Sequence, residues 1–327
     1  ITQTKWYLIA IGIIIAVAVI VMVACLKIAK HKKYIIRTQA FVAMVTGVAV
    51  VLNLICTGPM YTLLSLASVT GTLTDESIDN AEKLAEEITG EGIVLLKNED
   101  QMLPLANEKK LNVFGWASTA PCYGGTGSGA LNDNYHFVDL LEGLSNAGFE
   151  TNTELSDFYK EYREGRPEIG MFEQDWTLPE PPAESYSDNL ISDAKDFSDN
   201  AVIVLARAGG EQTDLPRDVY SVTYTDNSDD YKDFPEGTHY LEPSQSERNM
   251  IDLVCKNFDN VILVYNSSNT MELGIADEYK QIKSVIWCPG TGQNGFNALG
   301  EVISGEINPS CLLYTSDAAD DSLRVDL

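Results

Sequence analysis

The first 74 residues contain no acidic side chain, and all 48 Asp and Glu residues of the 327-residue chain fall after them. This later part holds only 16 Lys and Arg residues, so its net charge is −32. Histidine is scarce, with 3 in the chain, and none of the 6 cysteines forms a CxxC pair. So acidic a surface repels phosphate backbones, and the Cys and His spacing has no metal signature. We therefore expect no nucleic acid partner and no metal.

Long apolar runs occur at the N-terminal end. The residues from Trp6 to Leu26 carry no charge, and about 20 such residues cross about 30 Å of hydrocarbon as a helix. A second run extends over 40–66 and contains Gly58-Pro59, which we expect to kink or end a helix. Residues 1–70 are therefore predicted to form a transmembrane helical hairpin. A cleaved secretory signal is the alternative, but its apolar region would be shorter and a second span would not follow.

The charge around these runs predicts an orientation. Five Lys and Arg residues fall in 27–37, between the two runs, against the single Lys5 before the first run. Short loops rich in Lys and Arg stay in the cytoplasm. We expect a multi-pass protein of the cell membrane, in contact with the lipid bilayer, whose termini and acidic part lie outside the cell.

Residues 75–310 show the pattern of an α/β domain. Short, near-continuous apolar runs predict strands at 93–98, 111–116, 201–206, 260–266 and 284–288. Segments with helical periodicity precede or follow them, at 81–88, 136–147, 244–256 and 293–304. Apolar strands that alternate with helices indicate a doubly wound, mainly parallel sheet covered on both faces, with ligand-facing loops at the strand C-termini. The predicted fold class is thus an α/β sandwich domain preceded by two transmembrane helices.

Two connections are longer than is usual in such a domain. The connection 165–186 is rich in Pro and Glu, whereas 207–243 is rich in Asp, Gly and Tyr. Long loops in compact domains are usually functional or disordered. We interpret the second as functional because it follows a strand end directly, and the first as a solvated excursion.

A glycine-rich loop, GGTGSG at 124–129, follows the strand that ends at Trp116. Its glycines would let backbone amides approach a phosphate, but it lacks the GxGxxG order and the Walker lysine. A tight turn, a wall of a sugar pocket and a phosphate site are the three interpretations that stay open.

A carboxylate pair follows the third predicted strand. Glu211 comes after two glycines and Asp214 follows three positions later, so a like-charged neighbour could raise one carboxyl pKa toward the value that a general acid needs. In a chain with 48 acidic residues, a solvated surface charge is the default interpretation of either group.

Five blocks of the sequence resemble, in order and spacing, the α/β sandwich domain of family 3 glycoside hydrolases. They are EGIVLLKNEDQMLPL, LNVFGW with its GGTGSG loop, AVIVLARAGGEQTDLP, LEPSQSERNMIDLV and VIWCPGTGQNGFNALGEVISGEINPS. The resemblance covers about 80–310. It implies that Glu211 is the catalytic acid/base, although Gln212 stands where the family usually has glycine. It also makes Thr126 and Ser128 substrate contacts, to which we add Asp214. The PGTGQNG block after Trp287 is interpreted as core and helix start, outside the site.

The resemblance further implies a partner domain, since in this family the nucleophile is an Asp on a (β/α)8 barrel. No part of the chain resembles that barrel, so we expect reversed domain order, with the barrel after residue 310. The predicted function is a membrane-anchored retaining β-glycosidase that acts on β-linked oligosaccharides or glycosides without a cofactor, and the chain alone is expected to be inactive. The alternatives are a non-catalytic, membrane-tethered module that binds a glycan or a protein, and a nucleotide-binding sensor.

The last 17 residues depart from the family pattern. After residue 310 the family continues with a glycine and a strand, whereas this chain reads CLLYTSDAADDSLRVDL. The letters CLLYTSDAAD correspond to one reading frame of a common transposase-type sequencing adapter. We therefore expect 311–327 to be a non-native tail, against the alternative of a genuine final strand with an acidic end.

Overall fold

The computed structural model describes residues 4–25, 30–61, 64, 74–125, 136–164, 176–210, 214–219 and 233–311. The chain divides into two compact units, one up to Thr74 and one from Asp75. Each unit is described separately.

The first unit consists of two apolar helices, α1 (Lys5–Ala24) and α2 (Lys30–Thr57). Both are long and apolar enough to cross a membrane by length and composition. The predicted end of the second run is confirmed, because α2 stops at Thr57 and residues 58–60 form a turn. The prediction of a basic loop over 27–37 is wrong from Lys30 onward. That stretch contains no Gly or Pro, and Lys and Arg are good helix formers, so α2 extends over it.

The second unit contains seven helices of four residues or more within the described ranges. They are α3 (Asp75–Gly92), α4 (Leu140–Asn146), α5 (Thr153–Arg163), α6 (Asp188–Phe197), α7 (Gln245–Asn257), α8 (Ile275–Glu278) and α9 (Phe296–Ser304). The helix predicted over 136–147 is shorter than expected. It starts at Leu140 because the Asp139 side chain caps it, accepting a hydrogen bond from the Glu142 backbone N–H at 2.8 Å.

Seven strands form the central sheet. They are β1 (Val94–Asn98), β2 (Lys110–Phe114), β3 (Glu150–Thr151), β4 (Asn200–Ala206), β5 (Asn260–Asn266), β6 (Ile282–Cys288) and β7 (Ser310–Cys311). Their order is β3-β2-β4-β5-β6-β1-β7. All neighbours are parallel except β1 and β6, which are antiparallel. The predicted α/β class with a mainly parallel sheet is confirmed.

The sheet is covered on both faces, as the continuous apolar strands predicted. Along β4, Val202 and Val204 belong to one hydrophobic core with α4 and α9. Ile203 and Leu205 point to the other face and belong to a second core with α5, α6 and α7. The strand thus alternates between two cores with the period of two that the pleat imposes.

The connection before α6 departs from its predicted character. Residues 176–180 are all buried, and Trp176 and Leu178 join a small third core with Phe234 and Tyr240. The interpretation of 165–186 as a solvated excursion is therefore wrong for this part. Apolar burial against the segment before α7 outweighs the many Pro and Glu residues around it.

The five cysteines whose side chains the structure describes are all free thiols: Cys25, Cys56, Cys122, Cys255 and Cys288.

Candidate active site

Four loops meet beyond the carboxyl ends of β2, β4, β5 and β6. Gly290, after β6, lies so close to its neighbours that a Cβ there would stand 2.9 Å from Ser268 Oγ and 3.1 Å from the Tyr123 carbonyl oxygen. A Cβ on Gly125 would stand 3.3 Å from the carbonyl oxygen of Gly209. The beginning of the glycine-rich loop therefore lies against both the loop after β6 and the two glycines that precede Glu211.

Asn266, the last residue of β5, ties three of these loops together. Its Oδ1 accepts a hydrogen bond from the Cys122 backbone N–H at 2.6 Å, and its Nδ2 donates to the carbonyl oxygens of Cys122 and Pro289, both at 3.1 Å. The Gly292 N–H donates to the Tyr123 carbonyl oxygen at 2.7 Å. These bonds place the PGTGQNG block beside the start of the glycine-rich loop. The interpretation of the block as a helix start is confirmed, because α9 begins at Phe296 directly after it, and its place outside the site stays a prediction.

Arg207 directly follows β4 and is completely buried. All five of its N–H groups find an acceptor. Nε donates to the Tyr240 carbonyl oxygen at 2.8 Å, Nη1 to the Ala206 carbonyl oxygen at 2.8 Å, and Nη2 to the Glu242 carbonyl oxygen at 2.9 Å. The other two donate to the Glu247 carboxylate at 2.8 and 2.7 Å. Burial alone would lower the pKa of Arg207, but the Glu247 carboxylate outweighs it and the pKa is raised, so the group stays charged.

Glu247 is as fully satisfied as its partner. Its Oε1 also accepts from the indole N–H of Trp116 at 3.3 Å, and its Oε2 from the backbone N–H of Ser244 at 2.9 Å. Ser244 caps α7 and closes a capping box with Glu247, which brings this carboxylate to the first turn of the helix. A single buried carboxylate thus joins the segment after β2, the segment after β4 and α7.

Glu180 is a second buried carboxylate at the same end of the sheet. It accepts hydrogen bonds from the Trp116 backbone N–H at 2.8 Å and from the Tyr186 hydroxyl. Burial raises its pKa to about 8, the two hydrogen bonds oppose this rise, and the charges of Glu247 and Asp233 add to it. A buried carboxyl group with a raised pKa thus lies against the segment that follows β2.

The predicted site residues divide into two groups. The first group lies outside the described residues and comprises Glu211, Thr126 and Ser128. The structure does place two of their neighbours, Gly125 and Gly210. Asp214 is exposed and lines a cavity of about 480 Å³ together with His239 and Asn269, among others. The structure therefore brings Asp214 to the edge of the loop cluster.

One group of side chains near this cavity could hold a cation. His239 Nε2 lies 3.4 Å from Glu242 Oε1 and 3.2 Å from Glu272 Oε1. The three groups also form ordinary ion pairs when the imidazole is protonated, and the Glu272 side chain is 64% exposed. Within the described ranges this is the one such cluster of three ligating side chains.

Sequence reasoning missed Arg207, Glu247 and Glu180. The first two left a signal: Arg207 is a single cation at the end of an uninterrupted apolar strand, and the spacing of Ser244 and Glu247 matches a capping box. Glu180 left none, since it stands among several acidic and proline residues of similar appearance.

Comparison with known proteins identifies the family of this chain. The model for the "Glycosyl hydrolase family 3 C-terminal domain" matches residues 93–324. Beta-glucosidase A of Butyrivibrio fibrisolvens is 28% identical over 246 residues, which are 72% of this chain and 28% of that enzyme. A beta-glucosidase of Ruminococcus albus is 27% identical over 228 residues, which are 69% of this chain and 22% of that enzyme.

Solved structures give the same fold. A beta-glucosidase from Paenibacillus barengoltzii superposes with a TM-score of 0.60 at 25% identity, over 74% of this chain and 24% of that chain. Beta-glucosidase 3B from Thermotoga neapolitana, in complex with α-D-glucose, superposes with a TM-score of 0.57 at 24% identity, over 82% of this chain and 34% of that chain. This chain thus spans about a quarter to a third of these two enzymes. Because the family model covers well over half of the residues, the chain belongs to glycosyl hydrolase family 3 and contains the C-terminal domain of that family.

Proposed function

We propose that this domain supplies the general acid/base of a retaining β-glycosidase. In this proposal Glu211 protonates the glycosidic oxygen of a β-linked oligosaccharide or glycoside and later activates the water that hydrolyses the glycosyl-enzyme. The nucleophile is an Asp on a (β/α)8 barrel in the rest of the full-length protein, about 5–5.5 Å from Glu211. The similarity to the two beta-glucosidases, of Butyrivibrio fibrisolvens and Ruminococcus albus, supports this substrate class.

The observation that carries the proposal is the position of Gly209 and Gly210. They follow β4 at the carboxyl end of the sheet, against Gly125 of the glycine-rich loop, and Glu211 is the next residue. Ligand sites of open α/β sheets lie at this end. The same contact favours Thr126 and Ser128 as walls of the substrate pocket and Asp214 as part of its rim.

We also propose that α1 and α2 anchor the enzyme in the cell membrane with the acidic domain outside. Their length and apolar composition support anchoring, and the five basic residues of 27–37 support the orientation. An extracellular β-glycosidase held in this way would meet its glycosides at the cell surface.

A hydrolysis assay tests the catalytic proposal. The full-length gene product should release the aglycone from aryl β-glycosides with retention at the anomeric carbon, whereas the 327-residue chain alone should release none, because half of the catalytic pair is absent. Turnover by the chain alone would contradict the placement of the nucleophile, and a full-length protein without turnover would contradict the function.

The second candidate is a membrane-tethered module that binds a glycan or a protein without catalysis. The specific observation in its favour is that the matched family model describes the C-terminal domain alone. Saturable binding of a β-glucan oligosaccharide by a full-length protein without turnover would select this candidate.

A further inference from the structure

The segment between β4 and Glu211 is short and contains two glycines. Three residues, Ala208, Gly209 and Gly210, separate Glu211 from Arg207, and glycine restricts the backbone least. Four residues of extended chain reach about 13–14 Å. The position of the Glu211 carboxylate therefore depends on how firmly the chain is held between the end of β4 and Gly210.

Arg207, the first residue after β4, is held at both its side chain and its backbone, and Gly210 further along forms a single β-bridge. Its guanidinium uses all five donors, as described above, and its carbonyl oxygen accepts hydrogen bonds from Ser267 Oγ and from Asn269 Nδ2 at 3.3 Å. No rotation of Arg207 preserves all of these bonds, so the direction in which the chain leaves β4 is fixed.

The Glu247 carboxylate, which binds the Arg207 guanidinium, also fixes the segment that leads to the glycine-rich loop. Trp116 begins the short 3₁₀ turn after β2, and its indole N–H donates to Glu247 Oε1. Its backbone N–H is held by Glu180. Glu247 therefore sets the distance between the segment that leads to Gly124 and Gly125 and the segment that leads to Glu211.

Stability alone is a weak reason for such a pair. The desolvation of two buried charges offsets most of their attraction, and well-packed apolar pairs of similar volume are often as stable. An apolar pair does not fix the orientation of its side chains, whereas a bidentate guanidinium–carboxylate pair with five further hydrogen bonds does. In catalysis, a misplacement of about 1 Å can cost about 10²-fold in rate.

We infer that Arg207 and Glu247 are positioning residues, which hold the Glu211 loop and the glycine-rich loop in register so that both face one substrate. The inference rests on the proposed function. It predicts that weakening the pair moves the acid/base out of position before it unfolds the domain.

Hydrogen exchange on the 327-residue chain tests the positioning without any assay of activity. Arg207→Lys keeps the charge but offers three donors instead of five, so backbone amides at 208–219 should exchange at least ~10-fold faster while those of β4 and β5 keep their parent rates. The matched control is Arg248→Lys, which alters a partly exposed arginine next to Glu247, 3.9 Å from Glu278. Backbone amides of the Arg248→Lys chain should exchange at the parent rates. Parent-like exchange at 208–219 in a folded Arg207→Lys chain would overturn the inference.

Kinetics of the full-length gene product provide the second readout. Arg207→Lys should lower kcat for a disaccharide, whose leaving group needs protonation, at least ~10-fold more than kcat for an activated aryl glycoside. A merely structural role would lower both by the same factor, through the loss of folded enzyme, and that result would overturn the inference. Glu247→Gln, which retains the shape of the side chain, should show the same split, and Arg248→Lys should show none.

The two proposals fail in different ways. A parent enzyme without turnover would contradict the proposed function and leave hydrogen exchange to decide on the positioning. An active parent whose Arg207→Lys and Glu247→Gln variants show no leaving-group split would contradict the positioning and leave the function intact.

Discussion

At the scale of single residues, Glu180 is the acceptor at the end of a chain of buried hydrogen bonds. The Gly115 N–H donates to the Tyr159 hydroxyl at 2.7 Å, the Tyr159 and Tyr186 hydroxyls are 2.8 Å apart, and the Tyr186 hydroxyl donates to Glu180. Burial raises the pKa of both tyrosines, so they keep their protons. The first donor of this series is a backbone N–H, which cannot accept a hydrogen bond, so each hydroxyl in the series donates toward Glu180. A carboxylate, which accepts hydrogen bonds, is therefore favoured at the end of the series.

The raised pKa of Glu180 makes the stability of the domain depend on pH. Its pKa is about 8 in the folded state, against a usual value of 4.5, so between these two values the folded state binds the proton more tightly than the unfolded chain. This contribution to the free energy of unfolding is present at low pH and is lost as the pH rises from about 4.5 to about 8.

Glu180→Gln should therefore flatten the pH dependence of stability. Urea unfolding of the chain at pH 5, 6.5 and 8 measures it, and the variant should lose less of its free energy of unfolding than the parent between the first and last pH. Glu184→Gln, an exposed position in the same segment, is the control and should follow the parent. An unchanged slope in Glu180→Gln would show that Glu180 is ionised throughout this range.

At Gly115 a side chain is excluded by both the backbone angle and the space around it. Its φ is +94°, and a Cβ would stand 2.3 Å from the Val204 carbonyl oxygen in β4. Gly115→Ala should lower the free energy of unfolding by at least about 2 kcal/mol, since a strained φ alone costs about 1–3 kcal/mol. Gly274→Ala, where nothing lies within 4 Å, should cost less than about 1 kcal/mol. Equal losses in the two variants, measured by urea unfolding, would contradict the close approach of β2 and β4.

At the scale of elements, the sequence predicts strands best where both faces of the strand are buried. β4, β5 and β6 are continuous apolar runs because helices cover both of their faces, and such runs are recognisable without a structure. The antiparallel pairing of β1 with β6 was not predictable, because an apolar strand carries no mark of its direction. The start of α2 at Lys30 was missed for a related reason: basic residues that favour a cytoplasmic loop are also good helix formers.

The orientation of α1 and α2 is a prediction for intact cells. A membrane-impermeant maleimide should label a cysteine introduced at Thr74 and should not label one introduced at Lys32, because the positive-inside rule holds 27–37 in the cytoplasm. The parent chain sets the background from the native thiols. Labelling at position 32 without labelling at 74 would reverse the proposed topology.

At the scale of the whole molecule, the chain combines a family domain with two apolar helices. The five sequence blocks were sufficient to indicate the family, and the match over residues 93–324 confirms it. The match extends past residue 310, while the origin of 311–327 stays a prediction. What the sequence did not indicate is how the site is supported, because the roles of Arg207, Glu247 and Glu180 arise from burial and from partners 40 to 131 residues away.

The central claim is that Glu211 is the acid/base, and chemical rescue tests it most directly. In the full-length gene product, Glu211→Gln should slow hydrolysis of a disaccharide by about 10²- to 10⁴-fold, because the leaving alcohol is no longer protonated. Formation of the glycosyl-enzyme from an activated aryl glycoside should persist. Azide should then restore turnover of that activated substrate, since a small anion needs no general base to attack the intermediate. Parent-like disaccharide hydrolysis by Glu211→Gln, together with the slow and azide-rescued profile in Asp214→Asn, would contradict the claim and transfer the role to Asp214.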